Sequence, residues 1–215
     1  MQIIIFGAPG VGKGTQAKIL ASKLNVAHIS TGDILRAAIK NGTELGIKAK
    51  SIVESGGLVP DEIVAGMLKE ALKEERCKNG FILDGFPRTV NQAQILDKIF
   101  EDLGKERIDL IRLNAEDQVM VNRITNRMVC SSCGNIAIKS DVTENYVCPV
   151  CKSVNSYTTR KDDTEEVIIN RLKLYHEQTS PVFEYYKDKA NIIEVDGTLA
   201  IEKVTEGILS KLLVR

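Results

Sequence analysis

The sequence predicts an α/β fold in which a five-stranded parallel sheet is flanked by helices, and three observations carry that expectation. Apolar runs recur at 2–6, 26–29, 81–83, 110–113 and 192–195. Stretches of helical period separate them, the alternation that a parallel sheet with crossover helices requires. The first run feeds directly into Gly7-Ala8-Pro9-Gly10-Val11-Gly12-Lys13-Gly14-Thr15, a glycine-rich loop that opens a helix.

Each element has a local cause. In the loop, glycines let successive backbone N–H groups face phosphate oxygens, and Lys13 adds a point charge. The helix carrying Gln16, Ala17, Leu20, Ala21 and Leu24 aims its positive end at the same anion. General nucleotide loops place Ser or Thr directly after the lysine, whereas Gly14 stands here and Thr15 follows. A hydroxyl one residue late is poorly placed to bind Mg²⁺ directly, so phosphates and water would hold the metal, with carboxylates acting through that water.

Ser30-Thr31-Gly32-Asp33 supplies capping residues for a helix with Ile34, Leu35, Ala38 and Ile39 on one face, and Gly42 stops it. A shorter helix (Leu45, Ala49, Ile52, Val53) ends at Gly56-Gly57, and Pro60-Asp61-Glu62 opens a longer one. The pieces from Thr31 to about Val59 read as an insertion between strands. The strand Phe81-Ile82-Leu83 ends in Asp84 and runs into Gly85-Phe86-Pro87-Arg88. Ligands of open parallel sheets sit at such strand ends, where a carboxylate can orient hydrated Mg²⁺.

Further on, Ile95, Leu96, Ile99, Phe100 and Leu103 mark a helix closed by Gly104. The stretch from Asp117 to Met128 reads as a helix whose Arg123 and Arg127, four apart, share a face. Thr164-Glu165-Glu166 caps the helix that carries Arg171, Pro181 begins another, and Ile201, Val204, Ile208, Leu209 and Leu212 form the last. His28 on a strand and His176 on a late helix lie outside the motifs and are expected to be structural.

Between Cys130 and Cys151 helical periodicity gives way to turns and β-formers such as Ile136, Ile138 and Val147. Cys130-x-x-Cys133 and Cys148-x-x-Cys151, with fourteen residues between the pairs, suit a tetrahedral zinc site of four thiolates. Disulfides or unliganded thiols are the alternatives, and Fe or Co could also take four thiolates. A segment this small cannot bury enough surface alone, so the metal would act as its core. Cys77 stands apart as a small buried hydrophobe.

The totals limit the partners. The 215 residues carry 29 basic and 29 acidic side chains, so bulk charge favours neither nucleic acid nor an anionic membrane. No run approaches about 18 apolar residues, and the first ends at Phe6, so neither a spanning helix nor a secretory signal is expected and a cytoplasmic protein is. A guanine-reading Asn-Lys-x-Asp and a switch Asp-x-x-Gly are both absent from the sequence, which argues against a GTP-dependent switch.

Taken together, Gly7 to Thr15, Ser30-Thr31-Gly32-Asp33-Ile34-Leu35-Arg36, Asp84-Gly85-Phe86-Pro87-Arg88 with Gln92, Arg123 with Arg127, and Thr159-Arg160-Lys161-Asp162-Asp163 with Arg171 resemble the adenylate kinase family from end to end. The resemblance implies a P-loop NTPase core (1–29, 60–127 and 161–215), a helical NMP-binding insertion (30–59) and a zinc-bearing lid (128–160). It implies reversible transfer of a phosphoryl group from Mg·ATP to AMP, giving two ADP, in a monomer that binds neither nucleic acid nor membrane. By the same resemblance Gly10, Val11, Gly12, Lys13, Gly14 and Thr15 would wrap the ATP phosphates. Arg123 and Arg127 would reach the donor phosphates, and the Leu199 carbonyl would touch the adenine. AMP would be held by Thr31, Arg36, Gly57, Leu58, Val59, Gly85, Phe86, Pro87, Arg88 and Gln92, with Gln92 reading the base. Arg160 and Arg171 would close over the transferred group, making Lys13, Arg88, Arg123, Arg160, Arg171 and Asp84 the catalytic set. Cys130, Cys133, Cys148 and Cys151 would bind the lid zinc. The lid loop Gly134-Asn135-Ile136-Ala137-Ile138-Lys139-Ser140 departs from the family pattern, which places a Ser/Thr-Tyr-His type sequence there. It would offer the donor base apolar contact. Such chemistry needs no general base, because the acceptor is already a phosphate oxyanion; it needs cations, alignment and the exclusion of water.

Overall fold

The computed structural model describes residues 1–104 and 108–212. Its centre is a five-stranded parallel sheet made of β1 (Gln2–Phe6), β2 (Ala27–Ser30), β3 (Phe81–Asp84), β4 (Asp109–Asn114) and β8 (Asn191–Asp196). The spatial order is β2-β3-β1-β4-β8, so β1 lies at the middle with β3 and β4 on either side. Burial on both faces explains why β1 is uninterrupted in its hydrophobicity. Ile3 and Ile5 pack on one side with α1 (Lys13–Leu24), α6 (Asp117–Thr125), α7 (Glu165–Leu174) and α9 (Ile201–Leu212). Ile4 and Phe6 face the opposite layer, built from α2 (Thr31–Lys40), α3 (Glu44–Glu54), α4 (Asp61–Lys73), α5 (Val90–Asp102) and α8 (Ser180–Tyr186). All four strand residues are at most 3% exposed, and burying each such side chain contributes roughly 1.5–3 kcal/mol.

The expected strands and helices occur within a residue or two of their expected limits, with one exception. The helix read from Asp117 to Met128 ends at Thr125, and β5 (Arg127–Cys130) follows at once. Asn126 closes the helix by donating its Nδ2 to the Asn122 carbonyl, and Met128 and Val129 pair with Ala137 and Ile136. Arg123 and Arg127 therefore do not share a helix face. With β6 (Ile136–Ile138) and β7 (Tyr157–Thr158), β5 makes a separate three-stranded antiparallel sheet in the order β6-β5-β7.

Helix starts are set by side chains that accept otherwise unpaired backbone N–H groups. Ser30 caps α2 through Asp33 N, Thr43 caps α3 through Gly46 N, and Thr164 caps α7 through Val167 N. A single π-helical turn, Tyr175–Thr179, joins α7 to α8. Cys77 is 3% exposed, as expected of a buried hydrophobe. No helix among the described residues is long and apolar enough to cross a membrane.

Candidate active site

The glycine-rich loop leaves β1 at the carboxyl edge of the sheet, where β3 and β4 also end. Gly12 caps α1 with φ +104°, so the helix begins at Lys13 itself. Lys13 folds back over the loop, its Nζ donating to the carbonyls of Gly7 at 2.7 Å and Ala8 at 2.8 Å. Burial pulls its pKa down to about 8; nearby Asp84 opposes the shift, while Arg88, Arg171 and Arg127 add to it.

Asp84 stands beside the loop. A Cβ at position 14 would lie 3.2 Å from its Oδ2, a tight approach that the glycine there avoids. Immediately after it, Gly85 adopts φ +83°, and a Cβ there would sit 3.0 Å from Thr31 Oγ1 and 3.1 Å from Arg88 Nη2. The Gly85 carbonyl accepts from Thr31 Oγ1 (3.0 Å) and from Arg88 Nε (2.8 Å), so one turn fixes both side chains. The Phe86–Pro87 peptide is cis, and Phe86 is buried beneath it.

Arg88 is half-buried, and desolvation, with Arg171 close by, lowers its pKa to about 10. Arg160 is lowered to about 10 by burial and by Arg36, and burial lowers that of Arg171 too, against the pull of Asp162. At neutral pH the cluster keeps its charge. Three carboxylates hold its members in place: Arg171 Nη1 bonds Asp162 at 2.9 Å, Arg127 Nε bonds Asp163 at 2.9 Å in a two-pronged pair, and Arg36 Nη2 bonds Asp33 at 2.6 Å. Asp162 is 6% exposed, so its role is to position Arg171 and not to meet solvent. Spacing places Asp33 one helical turn before Arg36 but assigns Asp162 and Asp163 no such role, although both lie inside the Thr159–Asp163 stretch; only folding brings Arg127 and Arg171 to them.

Two cavities meet at this cluster. Thr31, Arg36, Gly57, Leu58, Val59, Gly85, Arg88, Gln92 and Arg171 line the smaller one. The larger, of about 1100 Å³, is bordered by Gly10 to Thr15, Asp84, Phe86, Pro87, Arg123, Arg127, Arg160, Leu199 and, from β6, Ile136 to Ile138. Arg36, Leu58, Gly85, Arg88 and Arg171 border both. Arg123 sits at the other end, with its guanidinium donating to the carbonyls of Gly197 (2.6 Å) and Thr198 (3.2 Å) next to Leu199. Gln92 is 2% exposed, with its Oε1 accepting from Arg88 N and its Nε2 donating to Asp61.

His28, outside the motifs along the chain, lies next to one of them in the fold. The strand pairing sets Ser30 opposite Asp84, so His28 falls on the same sheet face two residues earlier, with its Nε2 3.5 Å from Asp84 Oδ2. Sequence spacing could not show this, because it depends on which strand β2 joins. His176 lies on the surface, within 2.9 Å of the Asp117 carboxylate.

The four knuckle cysteines cluster with every Sγ within 4.8 Å of the others. Cys130 and Cys151 are 3.6 Å apart, as are Cys133 and Cys148, close to the roughly 3.8 Å between sulfurs bound tetrahedrally at 2.3 Å. The arrangement is compatible with Zn²⁺. A hydrogen bond to Ser156 Oγ at 3.1 Å is the main cause that brings the Cys130 thiol down to about 6, which favours the thiolate a metal needs. Tyr146 and Tyr157 stack edge to face beside the cluster, 5.3 Å between ring centres.

A family model described as adenylate kinase matches residues 5–191. Among curated proteins, an adenylate kinase of Fusobacterium nucleatum is 46% identical over 97% of this chain and 96% of its own length. One of Acetivibrio thermocellus is 44% identical over 99% and 98%, and one of Methanocella arvoryzae 43% identical over 97% and 96%.

Proposed function

Because this chain belongs to the adenylate kinase family and is a phosphotransferase, we propose that it moves the terminal phosphoryl group of Mg·ATP reversibly to AMP, giving two ADP. The observation that carries the reading is the shared wall of arginines between two cavities, one of which opens on the phosphate loop. Two nucleotides placed there would meet phosphate to phosphate at Arg88 and Arg171.

In this reading the loop amides and Lys13 bind the donor phosphates, with Lys13 exchanging its two carbonyl partners for phosphate oxygens. Arg88, Arg160 and Arg171 share the charge that develops on the migrating group, for which planar forks are well suited. The carboxylate partners keep the arginines aligned before substrates arrive, so little reorganisation is left for the transfer itself. The acceptor oxygen needs no proton removed. The backbone of 57–59 and Thr31 would cradle AMP, and Gln92 would meet its base with whatever hydrogen-bonding capacity Arg88 and Asp61 leave it. Arg123 and Leu199 would border the adenine of ATP, with Ile136 and Ala137 as apolar lid contacts.

A hydrated Mg²⁺ on the donor phosphates would supply charge neutralisation and alignment. The oxygen donors fit it: the Asp84 carboxylate faces Gly14 of the loop at 3.2 Å from a would-be Cβ, so it would hold the metal's water shell. The four thiols would hold a structural Zn²⁺, because four thiolates leave no open coordination position. We assign 1–29, 60–127 and 161–215 to the core, 30–59 to an AMP-binding cover and 128–160 to the lid, in a cytoplasmic monomer.

Chromatographic product analysis with Mg·ATP and, separately, AMP, UMP, CMP and GMP tests the reading. ADP from ATP and AMP is expected, with little transfer to the other three. Preferred transfer to another nucleotide would overturn the acceptor assignment, and hydrolysis of ATP alone would overturn the transfer.

A further inference from the structure

We propose that His28 is a positioning residue for the phosphoryl transfer, acting through Asp84; the proposal rests on the function assigned above. The strand register places His28 beside Ile82 and Ser30 beside Asp84, on the sheet face that α1 covers. There His28 Nε2 is shut off from solvent and has no hydrogen-bond partner among the described residues. The Asp84 Oδ2 atom lies 3.5 Å from it. The same oxygen is the one closest to Gly14, so the carboxylate stands between the imidazole and the phosphate loop.

A carboxylate at a strand end can turn about its last bond, and an oxygen held by no donor adopts no single direction. The 3.5 Å contact is not a hydrogen bond in the ligand-free fold; turning the carboxylate to bring Oδ2 onto the Nε2 proton would fix its rotation and leave its other lone pairs to receive the metal-bound waters of the donor. Burial makes this donor unlike a surface histidine, because water cannot take its place. No change of protonation is needed: the neutral ring with the proton on Nε2 does the positioning. Partners of this kind behind a metal-orienting group affect affinity or activity about 10- to 100-fold when removed.

The test compares the whole protein with its His28→Met and His28→Gln variants, since Met keeps the bulk without a donor and Gln restores an N–H of similar reach. Mn²⁺ binding in the presence of ADP is followed by electron paramagnetic resonance, and kcat and KM for AMP are measured in parallel. For His28→Met we expect Mn²⁺ affinity and kcat both to fall about tenfold, with the KM for AMP within about twofold; for His28→Gln, recovery to within about threefold of the parent. Equal Mn²⁺ affinity and kcat in all three proteins would overturn the proposal and leave His28 a packing residue. Nitrogen-15 shifts of the imidazole in the unaltered protein decide the matter should the Met variant not fold: a proton on Nε2 is expected, and a bare Nε2 with the proton on Nδ1 would overturn it. A parent protein that binds Mn²⁺ and ADP but transfers nothing would instead count against the assigned reaction, with the metal and nitrogen readouts still judging His28.

Discussion

Lys13 is charged in a place that resists charge, and that makes its behaviour measurable. With a pKa of about 8 in the ligand-free fold against 10.5 for an ordinary lysine, it is protonated below pH 8 and largely neutral between 8 and 10.5. Phosphate favours the charged form, so nucleotide binding above pH 8 must draw a proton from solution. Calorimetry in buffers of different ionisation enthalpy should detect uptake of up to one proton at pH 9 and almost none at pH 7, with affinity weakening as pH rises. The unfolded chain binds more protons than the folded one across the same window, so the ligand-free fold gains stability from this lysine as pH rises through it. Arg88 and Arg160 are expected to matter at the chemical step: replacing either with Ala should lower kcat roughly 10³-fold or more, by analogy with arginines that serve a migrating phosphoryl group. Steady-state kinetics checks this, and near-normal turnover in either variant would contradict their placement. The loop, Asp84 and Arg88 are legible from local order alone, since strand, glycines, lysine and helix follow one another in the chain. His28 and the aspartates that hold Arg127 and Arg171 are not, because their partners lie on elements 36, 9 and more than 50 residues away and meet only through tertiary pairing.

Helix and strand limits are readable where the sequence carries a cap or a break. Ser30, Thr43 and Thr164 start their helices by accepting from N3 amides, and Gly42 and Gly104 end theirs in the left-handed conformation. The stretch after Asp117 carries only a weak stop, Asn126, whose side chain bonds the Asn122 carbonyl; Arg127 and Met128 continue a helical pattern, and pairing with β6 and a two-pronged bond to Asp163 turn them into a strand. Tertiary partners override propensity there. The antiparallel sheet itself buries little beyond Cys130, Cys148 and Tyr157. Its order should therefore depend on the metal, and chelation should melt this sheet while leaving the parallel sheet intact. Thiol titration checks it: of the five cysteines, four should react quickly after chelation, whereas Cys77, 3% exposed in the main core, should stay protected until the whole chain unfolds. Fast reaction of all five, or of none, would contradict this division.

The charge balance of the whole molecule says little about the site at the edge of its parallel sheet. With 29 basic and 29 acidic side chains the chain is neutral, yet its carboxyl edge gathers Lys13, Arg36, Arg88, Arg127, Arg160 and Arg171 around two cavities that meet. Like charges at such distances raise one another's free energy, which the fold tolerates by anchoring three of them to carboxylates; in the proposed reaction phosphate would neutralise the rest. In the proposed reaction both cavities hold nucleotide phosphates at once, and a phosphoryl group passes between them with water excluded. The most direct test supplies the metal-loaded protein with Mg·ADP alone and follows the products by phosphorus NMR. ATP and AMP in equal amounts, with no inorganic phosphate, are expected. AMP with inorganic phosphate, or ADP left unchanged, would contradict it.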